Sequence, residues 1–242
     1  MKHTWTIAPL ALGSAVRDRS QTLLGKDYGI KLEGAILAWL LLSGEKKILV
    51  DTGAFGRTYR PDLSSRYDQT PHQTMESQLR RFNVTAQEIG LVINTHLHLD
   101  HAGGNGYFPQ ARFMVQKKEL EYAKDPLPVH KGGYDVDLSG LPFELLEGDA
   151  EIVPGVRVVL TPGHSPGSQA VLVDTEEGLY VIAGDTITHH VNMDVPVGDS
   201  FWPNAIYVDL AEYYRSLDRL RDLGGVILPG HDPLVLRNAT YP

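Results

Sequence analysis

The chain has 242 residues, 42% of them hydrophobic and 21% charged, a length and balance that suit one sizeable globular core and not a disordered segment. Its formal net charge of -8 argues against nucleic acid as the main partner, because phosphate binding wants clustered Lys and Arg. It contains no cysteine, which rules out disulfides and thiolate metal ligands.

The N-terminal stretch MKHTWTIAPLALGSAVRDRS lacks the long apolar core of a signal peptide. The most apolar run, Ala35 to Leu42, is far shorter than the roughly 20 residues a membrane span needs. A cytoplasmic protein with no membrane partner is therefore expected. GAILAWLLLSGEKKILVDTG reads as two buried strands joined by a turn at Ser43, Gly44 and Glu45. The polar stretch from Ala54 to Gln73, with Pro61, Pro71 and several aromatics, reads as a mobile loop or lid. TMESQLRRFN has helical spacing, with Met75, Leu79 and Phe82 on one side, and Thr85 with Glu88 offers a capping box.

Leu91 to Asn94 reads as a short buried strand, RFMVQ as another and KKELEYAK as a helix. Residues 125–142 are rich in proline and glycine and read as loop. Several strand-like runs follow from Glu144 to Gly184. VDLAEYYRSLDRLRDLGG is the clearest amphipathic helix, with Asp209 as its N-cap and Gly224 ending it, and VILPGHD is a last strand feeding a loop. Strands thus come in two batches, each followed by helices. That order is not the strict alternation of a doubly wound sheet, and it suits an α+β chain of two packed sheets with helices outside.

NTHLHLDHAGGNG, residues 94–106, concentrates metal-competent side chains directly after an apolar run. If the chain is still extended there, His96, His98 and Asp100 point to one side while Leu97 and Leu99 point to the other. His101 follows where the glycines allow a turn. Imidazole and carboxylate together suit Zn, Fe, Mn or Co. Scattered surface histidines would give no reason for the alternation with leucine. Three further candidates each end an apolar run: His164 in VVLTPGHSPG, Asp185 in YVIAGDT and His231 in VILPGHDP. Singly, an Asp after Gly is an ordinary turn residue and a His in a Gly/Pro loop an ordinary loop residue. Their recurrence at strand ends is what brings them to a common rim.

HLHLDH, TPGHSPG, GDT and GHD in that order, with LVDTG (Leu49 to Gly53) upstream, resemble the metallo-β-lactamase superfamily, and the likeness covers nearly the whole chain. HLHLDHAGGNGYF, FMVQKKELEYA, LLEGDAEIVPGVRVVLTPGHSPGSQAVLV and LPGHD look most like the N-acyl homoserine lactonases of quorum quenching. The resemblance implies an αββα four-layer sandwich forming one hydrolase domain over residues 1–242. It also implies two divalent metal ions, zinc first and Fe, Mn or Co otherwise. One would be held by His96, His98 and His164, the other by Asp100, His101 and His231, with Asp185 bridging. The implied reaction is attack of a metal-bridging hydroxide on a lactone carbonyl, with Asp100 handling the proton. Relatives of this kind are often homodimers.

The chain departs from the family where a Tyr is usual three residues after the bridging Asp; here Thr188 stands, followed by His189 and His190. Thr188, His189, Phe55 and Trp202 are the candidate substrate contacts, with Tyr59, Phe201 and Tyr207 also available and ordinary packing the competing reading for each. Asp51 is expected to fix a turn near the site by hydrogen bonding. The alternatives are hydrolysis of another ester, a thioester or a phosphodiester on the same site, an iron oxidoreductase, and a binding protein that has lost catalysis. The motif segments carry no Lys or Arg beside their ligands, which counts against a phosphate substrate.

Overall fold

The computed structural model describes residues 3–54, 67–195 and 197–242. Phe55 and Tyr59, and most of the expected lid, lie outside these residues. The strands are β1 (Thr6–Asp18), β2 (Lys31–Ser43), β3 (Lys46–Val50), β4 (Tyr67–Asp68), β5 (Leu91–Ile93), β6 (Arg112–Gln116), β7 (Phe143–Leu146), β8 (Ala150–Val153), β9 (Val156–Leu160), β10 (Gln169–Thr175), β11 (Gly178–Ile182) and β12 (Val226–Leu228). They form two sheets, in the orders β4-β1-β2-β3-β5-β6-β7 and β12-β11-β10-β9-β8. Hairpin-linked β1, β2 and β3 pair antiparallel, whereas β3, β5, β6 and β7 pair parallel through crossover connections.

Strand β2 explains the layering. Ala35, Leu37, Trp39 and Leu41 face one way, into a core shared with Val158, Val171, Val173 and Ile182 of the second sheet. Ile36, Ala38 and Leu40 face the other way, against Met75 and Leu79 of the helix Met75–Arg80. A strand apolar on both sides is thus buried on both sides, as its continuous apolar run requires. On the far face of the second sheet, Ala170, Leu172 and Val181 receive Tyr213, Leu217 and Leu220 of the helix Leu210–Asp222. The result is helix, sheet, sheet, helix: the four-layer αββα sandwich. That longest helix has 13 residues, and no described helix is long and apolar enough to cross a membrane.

Most elements read from the sequence are present with near-identical bounds, including the helix Lys117–Lys124 and the Asp209 N-cap, which accepts from the Glu212 N–H. The sequence pattern does not mark β1. Pro9 and Gly13 interrupt it, and its register slips between Ala11 and Gly13. Among the described residues its neighbour β4 pairs only with Ser14 and Ala15, so around Pro9 β1 is a sheet edge, where a residue without an N–H is tolerated.

Candidate metal centre

The parallel strand β5 delivers the histidine cluster to the sheet edge, but the extended alternation ends earlier than the sequence pattern suggests. His98 is the N-cap of a short helix, Leu99–Ala102, so Asp100 and His101 project from its first turn and not from a strand. Two buried carboxylates hold this segment. Asp51, in the left-handed region at φ 57°, accepts from the Thr95 N–H and the Thr95 hydroxyl at 2.7 Å and from His101 Nδ1 at 2.8 Å. Glu119, on the helix Lys117–Lys124, accepts from Leu97 N at 3.0 Å and from the Tyr134 hydroxyl at 2.9 Å. Its other oxygen accepts from the Ser165 hydroxyl at 2.6 Å and from Gly167 N at 3.0 Å. The loop of His96 and His98 and the loop of His164 are therefore tied to one side chain.

The remaining candidates arrive on loops that end strands. Gly163, before His164, has φ 131°, and a Cβ there would lie 2.3 Å from Tyr213 Cα, so only glycine lets the His164 loop pass under the long helix. The Asp185 carbonyl accepts from Asn204 Nδ2 and from the Tyr213 hydroxyl, both at 2.8 Å. His231 is clasped by Ala35 of β2, whose N–H donates to the His231 carbonyl at 2.7 Å and whose carbonyl accepts from His231 Nδ1 at 2.8 Å.

These seven side chains converge. His96, His98, His164 and Asp185 form one donor set and Asp100, His101 and His231 another, with the ligand atoms of each set within 4.8 Å of one another. Asp185 faces both: its Oδ2 lies 3.5 Å from His164 Nε2, and its Oδ1 lies 3.0 Å from His231 Nε2 and 3.2 Å from His101 Nε2. All seven are nearly or wholly buried.

The imidazole tautomers follow from their outer partners. A carbonyl or carboxylate sits against Nδ1 of His101, His164 and His231, so each Nδ1 carries the proton. The Thr95 hydroxyl spends its proton on Asp51 and so accepts from His96 Nδ1 at 3.1 Å. With Nδ1 so engaged, the Nε2 atoms of His96, His101, His164 and His231 point inward. Those of His96 and His164 both meet His98 Nδ1 at 3.0 Å, and those of His101 and His231 meet each other at 3.2 Å. Burial pushes His101 down, but Asp185 and Asp51 outweigh it and hold it well above the ordinary histidine range, so a proton occupies this cluster where a metal ion would sit. Asp185 Oδ1, buried, faces the same cluster. The all-nitrogen-and-oxygen donor set fits divalent metal ions. Burial pushes His98 down to about 3 and His96 well below the ordinary histidine range, which keeps both neutral as ligands must be.

One feature of the site has no trace in the motifs. Arg17, near the end of β1, donates from Nη2 to the Tyr67 hydroxyl at 2.6 Å and to Asp100 Oδ2 at 3.1 Å, and Tyr67 donates to the same Asp100 oxygen at 3.1 Å. Burial pushes the Asp100 carboxyl up, but His101 and Arg17 outweigh it and hold the group well below the usual carboxylate range. Burial pushes the Tyr67 phenol up, so it stays a donor. Arg17 lines two adjoining spaces. One is an open cleft of about 560 Å³ that also touches His98, Asp100 and Tyr207. The other is a much smaller cavity of about 30 Å³ that touches Asp185, Thr188, His189 and His231.

Among the candidate substrate contacts, the Thr188 hydroxyl is turned to Asn192 Oδ1 at 3.1 Å. His189 is buried in the smaller cavity's wall, not exposed in a loop, and burial pushes it down to about 4. His190 is paired with Asp232 at 2.8 Å. Trp202 lines neither space; its indole N–H donates to the Leu24 carbonyl and its ring carries Lys26 Nζ at 4.0 Å. Phe201 packs against the long helix's core.

Fold and donor set together define a class, a metal-dependent hydrolase built on an αββα sandwich. The sequence model of the metallo-beta-lactamase superfamily matches residues 32–231, and the chain belongs to that superfamily. An N-acyl homoserine lactonase of Bacillus cereus is 33% identical over 183 residues, which is 72% of each chain. The lactonase AttM of Azorhizobium caulinodans is 30% identical over 174 residues, covering 65% of this chain and 63% of that protein. The crystal structure of a B. thuringiensis AiiA mutant with N-decanoyl-L-homoserine bound at the active site superimposes with a TM-score of 0.81 at 27% identity, covering 98% of this chain and 96% of that one.

Proposed function

We propose that this protein opens the ring of N-acyl homoserine lactones, using two divalent metal ions per chain, zinc by preference, and that its 242 residues act as one hydrolase domain. The observation that carries the reading is the pair of inward-facing donor sets spanned by Asp185. His96, His98 and His164 would hold one ion, Asp100, His101 and His231 the other, and Asp185 both. Bound there, the ions would supply Lewis acidity that polarises a carbonyl and acidifies water.

The chain's own residues do the rest. Asp51 and the Ile206 and Ala35 carbonyls hold the imidazoles of His101, His164 and His231 in the tautomers that face inward, and Glu119 braces the loops that carry His96, His98 and His164. Asp100, ionised and clamped by Arg17 and Tyr67, takes a proton from the attacking water and returns it to the ring oxygen as the C–O bond breaks. Where relatives of this kind place a tyrosine three residues after the bridging Asp, this chain has Thr188, whose hydroxyl donates to Asn192, and a phenol reaches the site from Tyr67. The product is a hydroxy acid.

The test is acid release from N-acyl homoserine lactones of graded chain length, paired with elemental analysis. Two ions per chain and turnover that stops on chelation and returns with zinc are expected. A metal-loaded protein that leaves every lactone intact refutes the reading. One observation favours a second reading, hydrolysis of a phosphodiester: Arg17 puts a guanidinium beside Asp100 where the motifs alone offer no cation. Faster cleavage of a chromogenic phosphodiester than of any lactone would establish it.

A further inference from the structure

His164 follows β9 and Asp185 follows β11, yet the two side chains meet with Asp185 Oδ2 3.5 Å from His164 Nε2. A buried amide outside both donor sets ties the two loops together. It belongs to Asn204, in the segment that leads into the helix Leu210–Asp222. Asn204 Nδ2 donates to the Asp185 carbonyl at 2.8 Å, and its Oδ1 accepts from the Ile206 N–H at 2.9 Å. The Ile206 carbonyl in turn accepts from His164 Nδ1 at 2.7 Å.

The orientation of this amide is set by its partners. A backbone carbonyl only accepts and a backbone N–H only donates, so the nitrogen faces Asp185 and the oxygen faces Ile206. The Asp185 carbonyl has a second donor, the Tyr213 hydroxyl at 2.8 Å. The Ile206 N–H finds no other acceptor among the described residues. On one side of Ile206 the Ala205 N–H donates to the Gln21 carbonyl at 2.9 Å, and on the other the Val208 N–H donates to the Gly163 carbonyl at 2.8 Å. Between those anchors Ile206 is held by Asn204.

We propose that Asn204 is a positioning residue for the donor set of His96, His98, His164 and Asp185: by holding Ile206 against Asp185 it aims the Ile206 carbonyl at His164 Nδ1, and so fixes the ring plane that turns Nε2 toward Asp185. An imidazole whose outer partner is displaced can rotate and lose the direction of its inner lone pair. The other donor set leans on different groups, His101 on Asp51 and His231 on the Ala35 carbonyl. This role rests on the proposed pair of metal ions only for the affinity it sets; the aim of His164 follows from the protein's own hydrogen bonds.

The experiment is heteronuclear NMR of the imidazole protons in Asn204→Ala, with and without zinc, alongside chelator competition for the zinc-loaded protein. The Nδ1–H of His164 is expected to exchange with water about tenfold faster than in wild type, the factor that loss of one buried hydrogen bond provides, while those of His101 and His231 keep their rates. One zinc ion should bind about tenfold more weakly and the other within about twofold of wild type. Asn204→Asp keeps an oxygen for the Ile206 N–H and should return His164 to slow exchange. Asn204→Leu keeps the volume, loses both hydrogen bonds and gives the same reading if the alanine variant does not fold. A His164 rate within about twofold of wild type in a folded Ala or Leu variant overturns the proposal. Equal acceleration of His101 and His231, which marks general loosening, also overturns it, as does an Asp variant that exchanges as fast as Ala. Selective exposure of His164 in a protein that takes up no zinc or leaves lactones intact would refute the proposed reaction and keep the role of Asn204. Two zinc ions and lactone turnover with the His164 rate unmoved would do the reverse.

Discussion

Replacing Glu119 with glutamine tests how the two donor loops are held. The carboxylate is fully buried and its four hydrogen bonds divide evenly: Leu97 N–H and the Tyr134 hydroxyl on one oxygen, the Ser165 hydroxyl and Gly167 N–H on the other. An amide has only one oxygen. Tyr134 and Ser165 can rotate their hydroxyls to accept from an NH₂ group, but the backbone N–H groups of Leu97 and Gly167 cannot. Whichever way the glutamine turns, its NH₂ opposes one fixed N–H. The loss is one charge-assisted hydrogen bond, worth about 1.5–3 kcal/mol, with a buried donor left unpaired, so a total near 3 kcal/mol is expected. For a chain of this length that corresponds to a fall in Tm of about 6–12 °C, read by scanning calorimetry on the zinc-loaded protein. Because Leu97 lies between His96 and His98, and Gly167 follows His164, zinc affinity measured by chelator competition should fall about 10–100-fold. A variant that melts within about 2 °C of wild type and competes equally well for zinc would refute the bracing role of Glu119.

Three further outcomes are expected. His98→Ala removes the imidazole that both His96 and His164 face, and elemental analysis with a lactone assay should find both metal occupancy and turnover lost; retained turnover would put the site elsewhere. Gly163→Ala forces a Cβ against Tyr213 Cα in a backbone conformation that L residues avoid, so the urea midpoint should reflect a loss of about 3 kcal/mol or more. Thr188→Val removes a hydroxyl that donates to Asn192 and should cost about 1 kcal/mol of stability with kcat/KM within about threefold of wild type; a larger fall in kcat would show that this hydroxyl reaches the substrate.

The candidate ligands were legible because each lies in a short motif at the end of an apolar run, and the chemistry is local: histidines and aspartates where a strand gives way to a loop. Even there the pattern overreached, since alternation with leucine suggested a strand where Asp100 and His101 occupy a helical turn. Of the groups that tune the site, Asp51 was legible from its place in LVDTG, and Arg17, Tyr67 and Glu119 were not. Arg17 sits in a strand that Pro9 and Gly13 disguise, and Tyr67 pairs with it across a two-residue strand; neither has a sequence neighbour that hints at Asp100. Glu119 looks like any solvated glutamate in KKELEYAK. The available signal was that it shares a helix face with Tyr122 and Ala123, three and four residues on, which is the face turned inward.

This division has a physical basis. Metal ligation needs several donors at close range, and a strand-end loop can supply them within a few residues. Setting the charge and orientation of those donors needs groups from outside, because a ligand's second nitrogen or oxygen points away from its own loop. Asp51 reaches Thr95 and His101 from β3's end, Glu119 reaches two loops from a helix, and Arg17 reaches Asp100 from β1. Such contacts depend on the register of distant elements, so no spacing rule records them.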